Sequence, residues 1–456
     1  MYNKKYQIHF VGIGGIGMSG IAELLLRLGY RVTGSDIRSS DITRRLESLG
    51  CEVREGHAAG HAAGADIVVV SNAIPPDNPE VLAAGENSTP VIPRAEMLAE
   101  LMRFKYGVAI SGAHGKTSTT SVVASILGEG GLDPTVVIGG KLKSVGYNAV
   151  LGQGDFIVAE ADESDGSFLR MSPSIAVVTN IDREHLDFYK DLDEIKDAFA
   201  RFIDGMPFYG LAVLCADDPH VRELIPGIKK RFTTYGTSPG ADLEVTDIEF
   251  DGLKTVFQVA RSGERLGDIR LNLPGFHNAR NAAAGIAVGL ELGVSFDKIR
   301  SALEGHRGVE RRLEIKGEVR GILVVDDYGH HPTEIETTLD ALEKSFPERR
   351  VAALFQPHRH TRTRALFDEF SRVFHRAGVV YALPVYAAGE KAVPGSDSRE
   401  LAAAIEKESG VPAFYVKDFD AAALRLGKEL GNGDILLTLG AGDVWKAGER
   451  FIRDAD

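Results

Sequence analysis

A chain of 456 residues, 44% hydrophobic and 26% charged with 51 glycines, has the composition of a globular protein and the length of about three domains. Its net charge of −13 excludes nucleic acid as a bulk partner, which would need a basic face. Two cysteines, Cys51 and Cys215, exclude a disulfide framework or a zinc pattern. No apolar run approaches the roughly 18 residues of a membrane span, and the start Met1-Tyr2-Asn3-Lys4-Lys5 has no signal core, so a cytoplasmic protein without membrane insertion is expected.

Residues 6–12 have the pattern of a buried strand, followed by Gly12-Ile13-Gly14-Gly15-Ile16-Gly17 and a helix ending near Leu28. A second strand, 31–35, ends in Asp36. Glycines followed by an acid one strand later resemble a dinucleotide fingerprint. Alone, the pattern shows a βαβ unit that receives a phosphate-bearing ligand at a helix start, and NAD is only one candidate. The plainer reading of Asp36 is a helix cap or turn acid. A strand over 67–71 ends in Ser71-Asn72-Ala73-Ile74-Pro75, at the edge where open α/β sheets bind ligands.

Residues 90–104 read as a hinge into a second domain. That domain opens with an apolar run, 107–110, the turn Ser111-Gly112-Ala113-His114-Gly115-Lys116-Thr117, and a helix from Ser118 to about Leu127. Strand, glycine turn and helix aim free N–H groups and a positive helix end at one point, which suits a nucleotide phosphate. Lys116 can reach terminal phosphates and Thr117 can offer a hydroxyl to Mg²⁺, although the spacing is shorter than the usual P-loop. This is read as an ATP site. Two later strands end in polar groups: 156–162, with Glu160 placed for Mg²⁺, and 175–180, followed by Asn180-Ile181-Asp182-Arg183-Glu184-His185-Leu186-Asp187, with His185 for metal or phosphate.

Residues 210–267 read as strands and turns at an edge of the same domain, without a catalytic signal. Pro274-Gly275-Phe276 is a turn into an alanine-rich helix to about Leu292, and Asn278 and Asn281 share a face at its start. Their amides suit an adenine edge; caps are the alternative. Residues 305–308 read as a linker, then Arg311-Arg312 offers a phosphate contact. The remainder alternates strands (321–326, 350–355, 379–384, 413–416, 434–439) with helical segments, a third doubly wound unit. Its strand ends carry Asp326-Asp327-Tyr328-Gly329-His330-His331-Pro332 and Gln356-Pro357-His358-Arg359-His360-Thr361-Arg362-Thr363. Histidines among arginines form a cationic site for carboxylate or phosphate; the arginines would repel zinc.

Taken together, the motifs at 12–17, 112–117, 160–165, 185–187, 277–281, 311–312, 326–332 and 356–363 resemble the Mur ligase family over essentially the whole chain. The resemblance implies an α/β fold of three domains: a Rossmann-like UDP-sugar domain (1–104), a P-loop ATPase domain (105–306), and a Rossmann-like C-terminal domain (307–456) that closes over ATP and brings the amino acid. It implies ATP-dependent ligation of L-alanine to UDP-N-acetylmuramate through an acyl phosphate, with tripeptide addition to the same sugar nucleotide as the alternative. Gly14, Gly15, Ile16, Gly17, Asp36, Ser71, Asn72 and Ala73 would take the sugar nucleotide. Gly112, Ala113, His114, Gly115, Lys116, Thr117 and Ser118 would take the ATP phosphates, Asn278 and Asn281 the adenine, Arg312 the phosphates, Asp327 the ribose and Tyr328 the base. Thr117, Glu160 and His185 would hold two Mg²⁺. His330, His358, Arg359 and Arg362 would line the amino-acid end, and a monomer or weak homodimer is expected. Where several family members carry a carbamylated lysine this chain has Ala200, and neither Lys190 nor Lys196 fits.

Overall fold

The computed structural model describes residues 6–71, 73–140, 143, 148–185 and 188–455. Among them lie three sheets, each the framework for one stretch of the chain. The first has five strands in the order Glu52–Glu55, Arg31–Asp36, Gln7–Val11, Ile67–Val70, Val91–Pro93, all parallel. Gln7–Val11 is central and buried from its second residue on, covered on both faces, with His9 as the one polar residue in the buried run. The strands that follow it in sequence are laid first on one side of it, Arg31–Asp36 and Glu52–Glu55, and then on the other, Ile67–Val70 and Val91–Pro93, so its carboxyl end is the point where an open sheet leaves a crevice. Gly12 leaves the strand there.

The second sheet has ten strands. From one edge these are Glu264–Leu271, Lys254–Arg261, Leu243–Asp251, Phe232–Gly236, Leu211–Cys215, Ile175–Val178, Tyr106–Ser111, Phe156–Glu160, Thr135–Val137 and Ala149–Val150. Tyr106–Ser111 lies between Ile175–Val178 and Phe156–Glu160, parallel to both, which puts the three polar strand ends side by side. The stretch 210–267 is the sheet edge expected of it, with one addition: Pro219–Leu224 is a short helix, capped by the Asp218 carboxylate on the Val221 N–H.

The third sheet runs Glu314–Val319, Ile322–Asp327, Asp434–Leu439, Arg350–Phe355, Val379–Ala382, Ala413–Tyr415. Five strands are parallel and Glu314–Val319 pairs antiparallel with Ile322–Asp327. This edge strand begins directly after the paired arginines and was not expected there. Apolar clusters cover both faces, one built on Leu339, Phe355, Phe370 and Phe374, the other on Leu354, Tyr381, Leu436 and Phe451.

The chain forms two compact units: one from Met1–Thr246, Gln258–Ile269 and Arg280–His306, the other from Asp247–Phe257, Arg270–Ala279 and Arg307–Asp456. The first two sheets thus share most of one unit, and a single apolar cluster runs from Ile8 and Phe10 through Leu98 to Phe168 and Phe199.

Candidate functional site

The first loop is shaped by its neighbours. Gly12 has φ +76°, in the left-handed region that glycine adopts without strain. Its N–H and that of Ile13 both donate to the Ser35 carbonyl, at 2.8 and 2.9 Å. Gly14 donates to the Asp36 carboxylate at 2.8 Å, and a Cβ on Gly14 would sit 2.8 Å from that carboxylate. Asp36 therefore caps the loop rather than a helix. The following helix, Ile16–Arg27, starts at Gly15, which has no side chain to cap its first turn. The turn after Ile67–Val70 lies against the loop, with Ile74 beside Gly12. Ser71 accepts the Ile74 N–H at 3.0 Å and Ala73 is in the same turn, while Asn72 lies outside the described residues.

Beneath this loop is a polar network that sequence reasoning missed. Glu80, fully buried, accepts from the Ser35 hydroxyl at 2.8 Å and lies 2.6 Å from His9 and 2.7 Å from His57. His9 also meets Thr33 at 2.8 Å. Burial opposes the Glu80 charge, but the hydrogen bonds from His9, Ser35 and His57 hold its carboxyl below the usual range. The signal available was a histidine inside an apolar strand, which requires a buried partner.

The second loop is braced by the strand beside it. Ala113 donates to the Asn180 carbonyl at 3.2 Å and His114 to the Asn180 side-chain oxygen at 2.8 Å. The His114 carbonyl in turn accepts from Thr179 at 2.7 Å and Asn180 at 2.9 Å, and the His114 ring meets Asp182 at 2.9 Å. Gly112 has φ +132°, and a Cβ there would run into Thr179 Oγ1 and stand 3.0 Å from the Asn180 backbone. Gly115 has φ +81° and faces Asn281, which also accepts from Thr119 at 3.2 Å. Asn281 thus backs the loop. Asn278 does something different: it is buried and donates to the Pro274 carbonyl at 2.7 Å, closing the turn before its helix.

These contacts make a stability prediction. Gly112→Ala is expected to unfold at lower temperature than Gly131→Ala, by the equivalent of about 1–3 kcal/mol. Gly131 also has a positive φ, +84°, but open space around it, so it carries the backbone strain without the collision. Equal melting temperatures would show that Thr179 gives way at no cost.

Lys116, Thr117 and Ser118 open the helix Lys116–Glu129. The Lys116 ammonium folds over its own loop, donating to the Gly112 carbonyl at 2.6 Å and to Glu163 at 2.9 Å. Burial works against its charge, but Glu163, Asp162 and Glu184 outweigh burial and hold it above the ordinary lysine range. Glu163 was not singled out by sequence. His185 has φ +57° and lies 3.5 Å from Glu163 and 3.6 Å from Glu184. Burial lowers its pKa, and the carboxylates reverse that to a net rise. Ligand atoms of Glu163, Glu184 and His185 lie within 4.8 Å of one another, a donor set that fits a hard divalent cation once Lys116 releases Glu163. Glu160 accepts the Gly139 N–H at 2.8 Å.

In the second unit the arginine pair divides its work. Arg311 (φ +62°) donates to Asp326 at 3.1 Å and to the Gly440 and Gly442 carbonyls, so it fixes the backbone. Arg312 lies 3.6 Å from Glu334, and both guanidiniums cover the Tyr328 ring, at 4.9 and 5.2 Å. Asp327 accepts from Leu313 and Gly329, both at 2.7 Å, and burial pushes its carboxyl up to about 6. His330 lies 3.3 Å from Glu334 and its ring is 6.0 Å from His358. His358 stacks on Tyr386 at 5.6 Å and meets Arg362 at 3.4 Å. Burial first, then for His358 the guanidiniums of Arg362 and Arg359, brings His330 down to about 3 and His358 to about 4. Both rings are therefore neutral near pH 7, and burial makes each a weak base. Arg359 has φ +67° and is held by its N–H on the Tyr386 carbonyl at 2.9 Å.

Three family models match in series: "Mur ligase family, catalytic domain" at 7–106, "Mur ligase middle domain" at 110–289, and "Mur ligase, glutamate ligase domain" at 311–442. A protein of Desulfatibacillum aliphaticivorans named UDP-N-acetylmuramate–L-alanine ligase is 61% identical over 99% of both chains. One of the same name from Geobacter sulfurreducens is 55% identical over 99% of this chain and 98% of its own. The solved UDP-N-acetylmuramate–alanine ligase of Thermotoga maritima superposes with a TM-score of 0.84 at 29% identity, covering 98% and 99% of the two chains. A murein peptide ligase of Psychrobacter arcticus superposes less closely, with a TM-score of 0.72 at 25% identity over 98% of each.

Proposed function

The chain belongs to the Mur ligase family, and we propose that it joins L-alanine to the lactyl carboxylate of UDP-N-acetylmuramate with cleavage of ATP, the first stem-peptide step of peptidoglycan synthesis. The observation that carries this reading is end-to-end likeness to ligases of that name. The domains are 1–104 for the sugar nucleotide, 105–306 for ATP and 307–456 for the amino acid, in a cytoplasmic monomer or weak homodimer. No helix among the described residues is long and apolar enough to cross a membrane.

The lactyl carboxylate attacks the γ-phosphate of ATP, giving an acyl phosphate and ADP; the L-alanine amine then attacks the carbonyl and phosphate leaves. The first step needs charge neutralisation and in-line placement more than acids or bases. Asn180 takes the Ala113 and His114 N–H groups, so Gly115 and the uncapped first turn of the helix Lys116–Glu129 present their backbone N–H groups to the phosphates, Lys116 moves from Glu163 to the β- and γ-oxygens, and Arg312 adds a second cation. Thr117 and Glu160 would hold one Mg²⁺ and His185 the other, with Glu163 and Glu184 beside it; the metal supplies charge neutralisation on the phosphate oxygens. Asn281 orients the loop and, with Asn278, flanks the adenine; Asp327 takes the ribose and Tyr328 the base. In the second step Arg359 and Arg362 fork onto the amino-acid carboxylate, and His330 or His358 accepts the amine proton once the anionic acyl phosphate beside it offsets the burial that makes the free ring a weak base.

The guanidiniums of Arg359 and Arg362, with the bulky neutral His358 beside them, suit one small zwitterion and leave little room for a peptide. An ADP-release assay with UDP-N-acetylmuramate and L-alanine, L-serine, glycine or L-alanyl-γ-D-glutamyl-diaminopimelate is the test. L-Alanine should be turned over best. Serine and glycine should follow at lower efficiency, because one methyl discriminates by only about 1–3 kcal/mol. Turnover of the tripeptide with none of L-alanine would overturn the choice of amine and leave the ligase chemistry standing.

A further inference from the structure

One cation of the first unit stands between the start of the helix after the first loop and the acid that follows the strand Phe156–Glu160. Arg94 opens the helix Arg94–Met102, which follows the last strand of the first sheet. Its guanidinium fills the space that a side chain on Gly17 would take: a Cβ there would stand 2.7 Å from Nη1 and 3.1 Å from the guanidinium carbon. From the other side, Nη2 donates to the Asp162 carboxylate at 3.2 Å. Asp162 follows the strand Phe156–Glu160, which pairs with the strand that leads into the second loop. Burial opposes its charge, but Lys116, then Arg94 and the Ser164 N–H hold its carboxyl below the usual aspartate range. Two ion pairs, Arg94–Asp162 and Lys116–Glu163, therefore lie close enough that the Lys116 charge acts on Asp162 through space.

Two features give the first of these pairs a use beyond holding the fold together. The guanidinium is only partly buried, its side chain 28% exposed, so it remains open to a ligand. Its planar fork also lets one edge bind a carboxylate while the other binds a second anion. With Nη2 on Asp162, the edge bearing Nη1 is the one turned to Gly17. A side chain at position 17 would crowd the guanidinium out of this place, so the glycine is what lets the cation stand at the start of the helix that follows the first loop.

We propose that Arg94 binds the diphosphate of the sugar nucleotide through its Nη1 edge, and that Asp162 is the positioning residue that sets the guanidinium at Gly17. The proposal deepens the reading of the first loop as the sugar-nucleotide site and rests on it. Glycine at position 17 then has a specific reason: it leaves room for the cation beside the loop.

Isothermal titration with UDP and with uridine, which differ only in the phosphates, tests this on the full chain. Arg94→Ala should weaken UDP binding about 10- to 100-fold, as expected for a lost charge-assisted phosphate contact, and leave uridine within about twofold. Arg94→Lys should recover part of the loss because the charge returns without the fork. Gly17→Ala should act in the same direction as Arg94→Ala by displacing the guanidinium, and Asp162→Asn should give a smaller loss for UDP alone. An ATP-analogue titration on each variant verifies that the unit is folded. In steady state Arg94→Ala should raise KM for UDP-N-acetylmuramate more than it lowers kcat. Equal losses for UDP and uridine, or no loss for either, would overturn the proposal. Wild-type protein that binds neither UDP nor UDP-N-acetylmuramate would instead refute the site on which it rests.

Discussion

Lys116→Ala is expected to abolish ADP formation, lowering turnover by at least about 10²-fold, while UDP-N-acetylmuramate affinity stays within about twofold. The asymmetry follows from the loops. The sugar nucleotide is assigned to Gly14–Gly17 and its neighbours, whereas Lys116 caps the second loop at the Gly112 carbonyl. A cation that meets the charge developing on the transferred phosphoryl group contributes more in the transition state than in binding. The variant also leaves Glu163, whose side chain is 3% exposed, without its ammonium partner. A buried charge stripped of its counter-ion destabilises a fold, so loss of activity in Lys116→Ala alone could report partial unfolding. The double variant Lys116→Ala with Glu163→Gln removes both charges and should recover the melting temperature without recovering ADP release. Calorimetry with UDP-N-acetylmuramate, beside the ADP assay, reads both quantities. A sugar-nucleotide affinity that falls as far as turnover does would contradict the assignment of the two loops to two ligands.

The framework was legible because each strand is a short run of apolar residues ending in polar ones. The strands Arg350–Phe355 and Asp434–Leu439 fall where the apolar runs put them, and Gln7–Val11 and Tyr106–Ser111 within a residue or two. The loops between strand and helix followed from their glycines, since Gly12, Gly112 and Gly115 all need positive φ. Partners distant in sequence were not legible. Asn278 and Asn281 look equivalent on a helix face, yet one closes a turn on Pro274 and the other braces Gly115. Arg311 and Arg312 look interchangeable until Asp326 and the Gly440 carbonyl claim the first. Glu163 sits among several acids, and only the fold brings it under Lys116. His9 lies inside an apolar strand and its partner Glu80 is 71 residues on, so periodicity passes over both. The antiparallel strand Glu314–Val319 carries three charged residues in six, and the register with Ile322–Asp327, not hydrophobicity, makes it a strand.

Arg359 separates the two roles a site residue can combine, backbone and charge. Its φ of +67° is strained for any residue with a Cβ, at a cost of about 1–2 kcal/mol, and its N–H on the Tyr386 carbonyl keeps the backbone there. If the guanidinium forks onto the carboxylate of L-alanine, its removal should raise KM for L-alanine roughly 10- to 100-fold, whichever residue replaces it. Stability should discriminate between replacements. Arg359→Ala keeps the strain, whereas Arg359→Gly relieves it, less the greater chain entropy that glycine loses on folding, so the glycine variant should be the more stable of the two by up to about 1 kcal/mol. Saturating ATP and UDP-N-acetylmuramate isolate the amine in the kinetic measurement, and thermal unfolding of the two variants gives the second comparison. An L-alanine KM unchanged in both variants would remove Arg359 from the amino-acid site. Loss of L-alanine binding in Arg359→Ala with full retention in Arg359→Gly would move the role from the guanidinium to the backbone turn that carries it.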